Sequence, residues 1–148
     1  MAEIDPDLIG VWGPEGTMHV EFGKVGEFAR AVKDEKDAYL GRDERLAPAT
    51  FLMTIAHWIG DLGKTRRGIK LDYSRLLHGE QEFEYLRPIR AGDILTFRSR
   101  TKDVFEKQGK RGGTMTFVIG ETEFRDVQGE VVAYMRNTAI ETAAAVKE

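Results

Sequence analysis

The densest apolar run of the chain is Pro48 to Leu62, PATFLMTIAHWIGDL. On a 3.6-residue period Phe51, Leu52, Met53, Ile55, Ala56, Trp58, Ile59 and Leu62 cover most of the circumference, while Thr50, Thr54, His57 and Asp61 fall on one narrow polar stripe. The spacing predicts a helix buried nearly all round, with Pro48 in the first turn where a missing N–H costs nothing. About fifteen residues span only roughly 22 Å, too short for a bilayer, in which His57 and Asp61 would also be costly. Such a helix needs a coat of protein, and the strands that follow can supply it.

Elsewhere the pattern alternates between the two periods. The first sixteen residues, with two prolines and three glycines, read as an extended arm ending in a turn, with little chemistry expected. Thr17 to Phe22 is a short strand candidate, and Val25, Phe28, Ala29 and Val32 then recur at helical spacing until the charged run Lys33 to Asp37. Beyond the central helix, Gly63 to Lys70 (GKTRRGIK) is an exposed loop. From Leu76 the period becomes two: Gln81, Phe83 and Tyr85 share one face, and Glu80, Glu82 and Glu84 the other. Arg87 to Asp93 is a turn built on Pro88 and Gly92. Further strands run over Ile94 to Phe105, Thr114 to Arg125 and Glu130 to Ile140, separated by Gly109 to Gly113 and by the short hairpin loop Asp126 to Gly129. The closing ETAAAVKE is expected to fray. This order, helices followed by an antiparallel meander, predicts an α+β domain occupying residues 1–148. Cone-shaped and helix-grip architectures fit it as well as a sheet curled around a helix.

Composition narrows the chemistry. A chain of 148 residues has the size of one domain and can bury about 70% of its unfolded surface. A formal charge of −3 gives no global attraction for nucleic acid or anionic membrane, so neither partner is expected. The absence of cysteine excludes disulfides, thiolate catalysis and Cys-based zinc sites. No charged-then-apolar leader opens the chain, and a cytoplasmic location is the expectation. His19, His57 and His78 have no ligand-like spacing, so no metal site is expected, and nothing calls for a cofactor.

The run from Leu76 to Ile140, LLHGEQEFEYLRPIRAGDILTFRSRTKDVFEKQGKRGGTMTFVIGETEFRDVQGEVVAYMRNTAI, together with FARAVKDEKDAYL and LAPATFL, resembles the MaoC-like dehydratases of the hot-dog fold. HGEQEFEY and LAPATF point to the N-terminal dehydratase-domain branch, which includes the non-catalytic subunits of heteromeric (3R)-hydroxyacyl-ACP dehydratases. The resemblance spans roughly Ile9 to Ile140. It implies an antiparallel curved sheet wrapped around the long central helix, two such folds packed side by side as a dimer, and acyl-thioester sites at their interface.

Hydration of an enoyl thioester needs a base for water, an acid for the α-carbon, and donors for the thioester oxygen. The resemblance implies an Asp and a His in the motif D-x-N-P-x-H. The aligned segment here is Asp34-Glu35-Lys36-Asp37-Ala38-Tyr39, in which Tyr39 replaces the histidine and Lys36 and Asp37 replace Asn and Pro. A phenol with a reference pKa of about 10 is a poor base at neutral pH. Asp34 and Tyr39 remain the catalytic candidates, with His78, at the head of the HGEQEFEY strand, as a substitute acid or base. Against this stands the plainer reading that DEKD is a solvated helix end.

For binding, the first N–H groups of the central helix lack intrahelical partners, which places Ala49, Thr50 and Phe51 beside a thioester carbonyl. His57 would face the acyl chain or the neighbouring fold. Arg87 and Arg90 are candidates for the phosphates of coenzyme A or acyl carrier protein, unless they serve turn geometry and pair with Glu82 or Glu84. Lys64, Arg66, Arg67 and Lys70 form the densest basic cluster.

The expected function is an acyl-thioester-binding hot-dog subunit of an (R)-specific enoyl-CoA hydratase or 3-hydroxyacyl-thioester dehydratase, a lyase assembly of fatty acid metabolism. A homo-oligomer, or a hetero-oligomer with a second MaoC-like subunit carrying the Asp/His pair, is expected with acyl-CoA or acyl-ACP as substrate. The alternatives are a self-sufficient homodimeric hydratase using Asp34 with Tyr39 or His78, and a non-catalytic acyl-CoA-binding protein. A thioesterase fits less well, because Asp61 lies at the wrong end of the helix to serve as nucleophile.

Overall fold

The computed structural model describes residues 2–59, 69–109 and 112–144. Its elements are β1 (Glu3–Ile4), β2 (Gly16–His19), α1 (Phe22–Ala31), α2 (Asp37–Leu40), a 3₁₀ segment (Phe51–Ile55) running into α3 (Ala56–Ile59), and then β3 (Ile69–Lys70), β4 (Leu76–Tyr85), β5 (Ile94–Gln108), β6 (Thr114–Arg125) and β7 (Val131–Glu141). Short 3₁₀ turns also cover Pro6–Leu8 and Tyr73–Arg75. Five strands form one antiparallel sheet in the order β2-β5-β6-β7-β4, while β1 and β3 pair separately.

Hairpins tie β5, β6 and β7 into a true meander. The β6–β7 loop is set locally: the Asp126 carboxylate accepts from the N–H groups of Gln128 and Glu130, and Gly129 takes φ +83°, which glycine adopts without a Cβ penalty. The predicted meander fails only at β4, which pairs with β7 rather than β5. Residues 86–93 are therefore a crossover, not a hairpin turn. Ile89 in its middle is buried in the core, its carbonyl accepts from Ala47 N, and Gly92 N donates to Val20 O beside β5. The alternation expected of β4 is present, with Gln81, Phe83 and Tyr85 half-buried and the three glutamates exposed.

The core gathers Met18, Val20, Val25, Phe51, Leu52, Ile55, Ile89, Leu95, Phe97, Phe124, Val132 and Ala133 between the sheet and the helical layer. α1 delivers Val25 and Ala29 from the face that its spacing predicts. This is the α+β hot-dog arrangement, but the central segment differs from the helix expected over Pro48 to Leu62. It starts as a 3₁₀ segment at Phe51, Phe51 N donating to Pro48 O, and Gly60 to Leu62 lie outside the described residues. With three residues per turn, side chains at i and i+3 eclipse. Phe51 and Thr54 consequently share a buried row, Leu52 and Ile55 a second, and Thr50, Met53 and Ala56 an exposed third. The polar stripe is broken: Thr54 is buried, whereas Thr50 and His57 face outward.

The two ends of the chain add to this frame. In the N-terminal arm Gly10 N and Gly13 N donate to the Thr101 and Ser99 carbonyls along the edge of β5 and extend the path of β2. Its Trp12 ring lies under the guanidiniums of Arg98 and Arg100, at 4.6 and 4.3 Å. At the other end Glu141 does not fray but is buried in β7, where it accepts from Arg75, and Thr142 N donates to Arg75 O. No helix among the described residues is long and apolar enough to cross a membrane.

Candidate functional site

α1 ends with Lys33 at φ +58°, and the chain turns so that Asp34 N still reaches Ala29 O. Asp34 then points not to an open reaction site but to Lys36, whose ammonium lies 3.0 and 3.1 Å from its two carboxylate oxygens. The same ammonium sits 5.7 Å from the centre of the Tyr39 ring. The hydrogen bond and charge of Asp34 raise the Lys36 pKa, fixing the ammonium form. The residue that replaces Asn in the motif thus occupies the space between the two catalytic candidates. His78 lies elsewhere, exposed on β4 opposite Ala139 and beside a bulge, and no hydrogen bond joins it to Asp34 or Tyr39.

At the start of the 3₁₀ segment Ala49 and Thr50 are exposed. Their N–H groups make no hydrogen bond among the described residues. The N–H of Phe51, by contrast, is already given to Pro48 O, and its ring is buried edge-on against Phe28. Of the three residues predicted to meet a carbonyl oxygen, two keep open donors. The Ala49 carbonyl is held by Tyr85, whose hydroxyl donates to it at 2.6 Å. Burial pushes the Tyr85 phenol up to about 12, so it remains a donor at any ordinary pH.

The arginines divide. Arg87 donates to both oxygens of Asp93 (2.8 and 3.3 Å) and to Pro88 O, and Asp93 also accepts from Arg90 N. The Arg-Pro and Gly-Asp halves of RPIRAGD therefore close on each other. Glu82 and Glu84 pair with Arg136 instead. The Arg90 side chain is exposed and makes no ion pair among the described residues. Lys64, Arg66 and Arg67 lie outside the described residues, and Lys70 pairs with Glu3 at 3.7 Å. His57 is exposed, and His19 packs its ring 5.6 Å from Trp58. Among the described residues no group of three or more acidic, His or Cys side chains could hold a metal.

Two features escape sequence reasoning. One is the outer-face cluster around Glu121, 3% exposed, which takes hydrogen bonds from Arg100, Lys102 and Arg136. Burial pushes its carboxyl up, but these three cations outweigh that and hold it at about 2. The other is a cavity of about 340 Å³ between the arm, the helical segment and β5, β6 and β7, lined by Leu8, Trp12, Ile55, Ile59, Phe97 and Asn137 among others and reaching Arg100 and Glu121 of that cluster. Leu8, Val11 and Trp12, three large apolar residues in an arm expected to carry little chemistry, were the available signal. One helical segment thus offers free N–H groups at Ala49 and Thr50 and, a turn or two later, a wall of the cavity at Ile55 and Ile59.

A curved antiparallel sheet closing on a short helical segment defines a hot-dog fold, of the MaoC-like dehydratase type. The chain belongs to the family described as FAS1-like, dehydratase domain region, which matches residues 7–135. A UPF0336 protein of Streptomyces griseus is 32% identical to it, over 95% of this chain and 97% of that one. Among solved structures the chain is similar to the C-terminally truncated HadBC (3R-hydroxyacyl-ACP dehydratase) complex of Mycobacterium tuberculosis, with a TM-score of 0.66 and 26% identity over 95% of this chain and 94% of the other. It is also similar to a MaoC-like dehydratase, with a TM-score of 0.74 and 26% identity over 93% of this chain and 43% of that longer one.

Proposed function

We propose that this chain, acting as one domain in the cytoplasm, is the acyl-thioester-binding subunit of an (R)-specific enoyl-CoA hydratase or 3-hydroxyacyl-thioester dehydratase, with the catalytic Asp/His pair supplied by a second hot-dog subunit. The observation that carries the reading is the Lys36 ammonium between Asp34 and Tyr39: where the motif needs a base and an imidazole, this chain has an ion pair and a phenol. The binding half of the machinery is compatible with the same reading. Ala49 and Thr50 offer N–H donors for a thioester oxygen, Tyr85 fixes the peptide between them, and the cavity behind Ile55 takes the chain. β4 has a ladder partner on one side only among the described residues, an open edge suited to a neighbouring fold. The likeness to a complex of two hot-dog dehydratase subunits supports assembly of this kind.

The test is to assay the purified chain alone and with a hot-dog partner bearing D-x-x-x-x-H, following hydration of enoyl-CoAs of several chain lengths. Turnover is expected from the pair and not from the lone chain. Robust turnover by the lone chain that Asp34→Asn abolishes would overturn the proposal in favour of a self-sufficient enzyme. A pair that binds acyl-CoA tightly without turnover would make the chain a binding protein.

A further inference from the structure

The inner face of the sheet is not uniformly apolar. Its cross-strand registers define successive rungs, each running from β5 through β6 and β7 to β4. The first is Phe97, Phe124, Ala133 and Tyr85, and belongs to the core. The next is Ser99, Thr122, Met135 and Phe83, and the one after it Thr101, Gly120, Asn137 and Gln81. Beyond the bulge at Lys102 the next rung is Val104, Val118, Ala139 and His78, apolar on its first three strands. A polar band therefore lies in the middle of the face that forms the cavity floor, spanning Thr101, Asn137 and Gln81 on one rung and confined to Ser99 and Thr122 on the other.

Its groups are aimed at the cavity and largely unused. Ser99 and Thr122 share one hydrogen bond at 2.8 Å, which leaves one hydroxyl proton and several lone pairs of that pair unspent. Thr101 and Asn137 line the cavity, and their side chains make no hydrogen bond among the described residues. Gly120 creates the space: a Cβ there would lie 2.5 Å from Asn137 Oδ1, so the amide lies across the glycine on the cavity floor. Water reaches these groups, Ser99 being exposed and Thr101 and Asn137 half-buried, so a ligand that covers them must replace the hydrogen bonds they lose. Leu8, Ile55, Ile59 and Phe97 form the apolar part of the wall, and Arg100 and Glu121 are also among its lining residues.

We infer that the cavity selects an acyl chain carrying an oxygen function, a hydroxyl or keto group, part way along its length, and that Asn137, Thr101 and the Ser99–Thr122 pair are the groups that read it. The inference rests on the acyl-thioester reading above for the identity of the chain, and on the cavity itself for its polarity. The amide of Asn137 offers both donor and acceptor, and the hydroxyls either, so the band fits an alcohol or a ketone equally. A plain alkyl chain would cover these groups without replacing their water and would bind more weakly for it.

The test uses the full-length chain and two matched ligand series, dodecanoic acids and dodecanoyl-CoAs, each with an unsubstituted member and members hydroxylated at successive positions. Titration calorimetry is run on the wild type, Asn137→Leu and Thr101→Val, the second variant guarding against misfolding of the first. The wild type should bind at least one mid-chain hydroxylated member about tenfold more tightly than the unsubstituted one. Asn137→Leu should erase that preference while leaving the plain chain bound as well or better, and Thr101→Val should reduce it. Equal or tighter binding of the plain chain by the wild type, or a preference that survives in both variants, overturns the inference. A preference shown by the free acids without binding of any CoA ester upholds the cavity inference and sinks the thioester reading. No binding in either series overturns both.

Discussion

The hydroxyl of Tyr85, at the end of β4, donates to the carbonyl oxygen of Ala49 at 2.6 Å. The bond couples the last inward side chain of an edge strand to the turn that opens the helical segment, and so orients the peptide whose N–H belongs to Thr50. Tyr85→Phe should lower stability by about 1 kcal/mol, the usual net worth of such a bond, and weaken acyl-thioester binding more than binding of the free acid. The pH dependence has a definite sign. Burial raises the folded pKa to about 12 from 10.0, so an unfolded chain releases this proton first. The stability tied to the neutral phenol is complete below pH 10 and is lost as pH rises through 12; denaturant unfolding at alkaline pH should be less pH-sensitive in Tyr85→Phe.

The Asp34–Lys36 pair gives the proposed subunit role a direct test. Lys36→Asn, Asp37→Pro and Tyr39→His together rebuild D-x-N-P-x-H from residue 34 onward. Freeing the carboxylate and supplying an imidazole should raise hydration by the lone chain at least tenfold, general acid–base catalysis being worth about 10² to 10⁴. Lys36→Ala by itself should leave both turnover and the melting temperature unchanged, because the pair is solvent-exposed. A rise with Lys36→Ala alone would mean that Tyr39 already suffices as partner.

Glu121 should behave as a buried anion held by partly exposed cations. Glu121→Gln deprives Arg100 and Lys102 of their carboxylate, while Arg136 keeps Glu82 and Glu84, and a loss of about 1 to 3 kcal/mol is expected at pH 7. The folded pKa is depressed to about 2 from 4.5, so the stabilisation is present above pH 4.5 and lost as pH falls through 2. Urea unfolding of wild type and variant should accordingly converge towards acid. A constant gap down to pH 2 would assign the loss to packing instead.

Filling the cavity should shorten the accepted chain. Ala139 lines it from β7 and is itself 6% exposed, so Ala139→Leu projects three more carbons into the space. Binding of long acyl-CoAs should fall while that of short ones holds, at a stability cost of about 1 to 3 kcal/mol for overpacking. An equal loss at all chain lengths would place the acyl group elsewhere.

Much of the fold was legible because its signals are local. The two-residue period gave β4 its faces and β6 its bounds, and the helical spacing of Val25, Phe28, Ala29 and Val32 gave α1. The altered D-x-N-P-x-H segment already weakened the case for catalysis by this chain. What the residues could not reveal was the geometry of that segment: an exposed run DEKD says nothing of which carboxylate a lysine will hold, and here Lys36 holds Asp34. Likewise a period-two strand carries no record of its neighbour, so β4 reads the same beside β5 or beside β7.

The sequence by itself determined where β2, α1 and β4 to β7 stand to within a few residues, which face of β4 is apolar, and that Tyr39 replaces a histidine, since all of these follow from neighbours a few positions apart. Only the tertiary structure decided that residues 86–93 cross the sheet, that Phe51 opens a 3₁₀ segment rather than a full helix, and that Leu8 and Trp12 close a cavity over Thr101, Gly120 and Asn137. Those outcomes depend on contacts between residues tens of positions apart, where the free energy lies in burial and register rather than in any local preference of the chain.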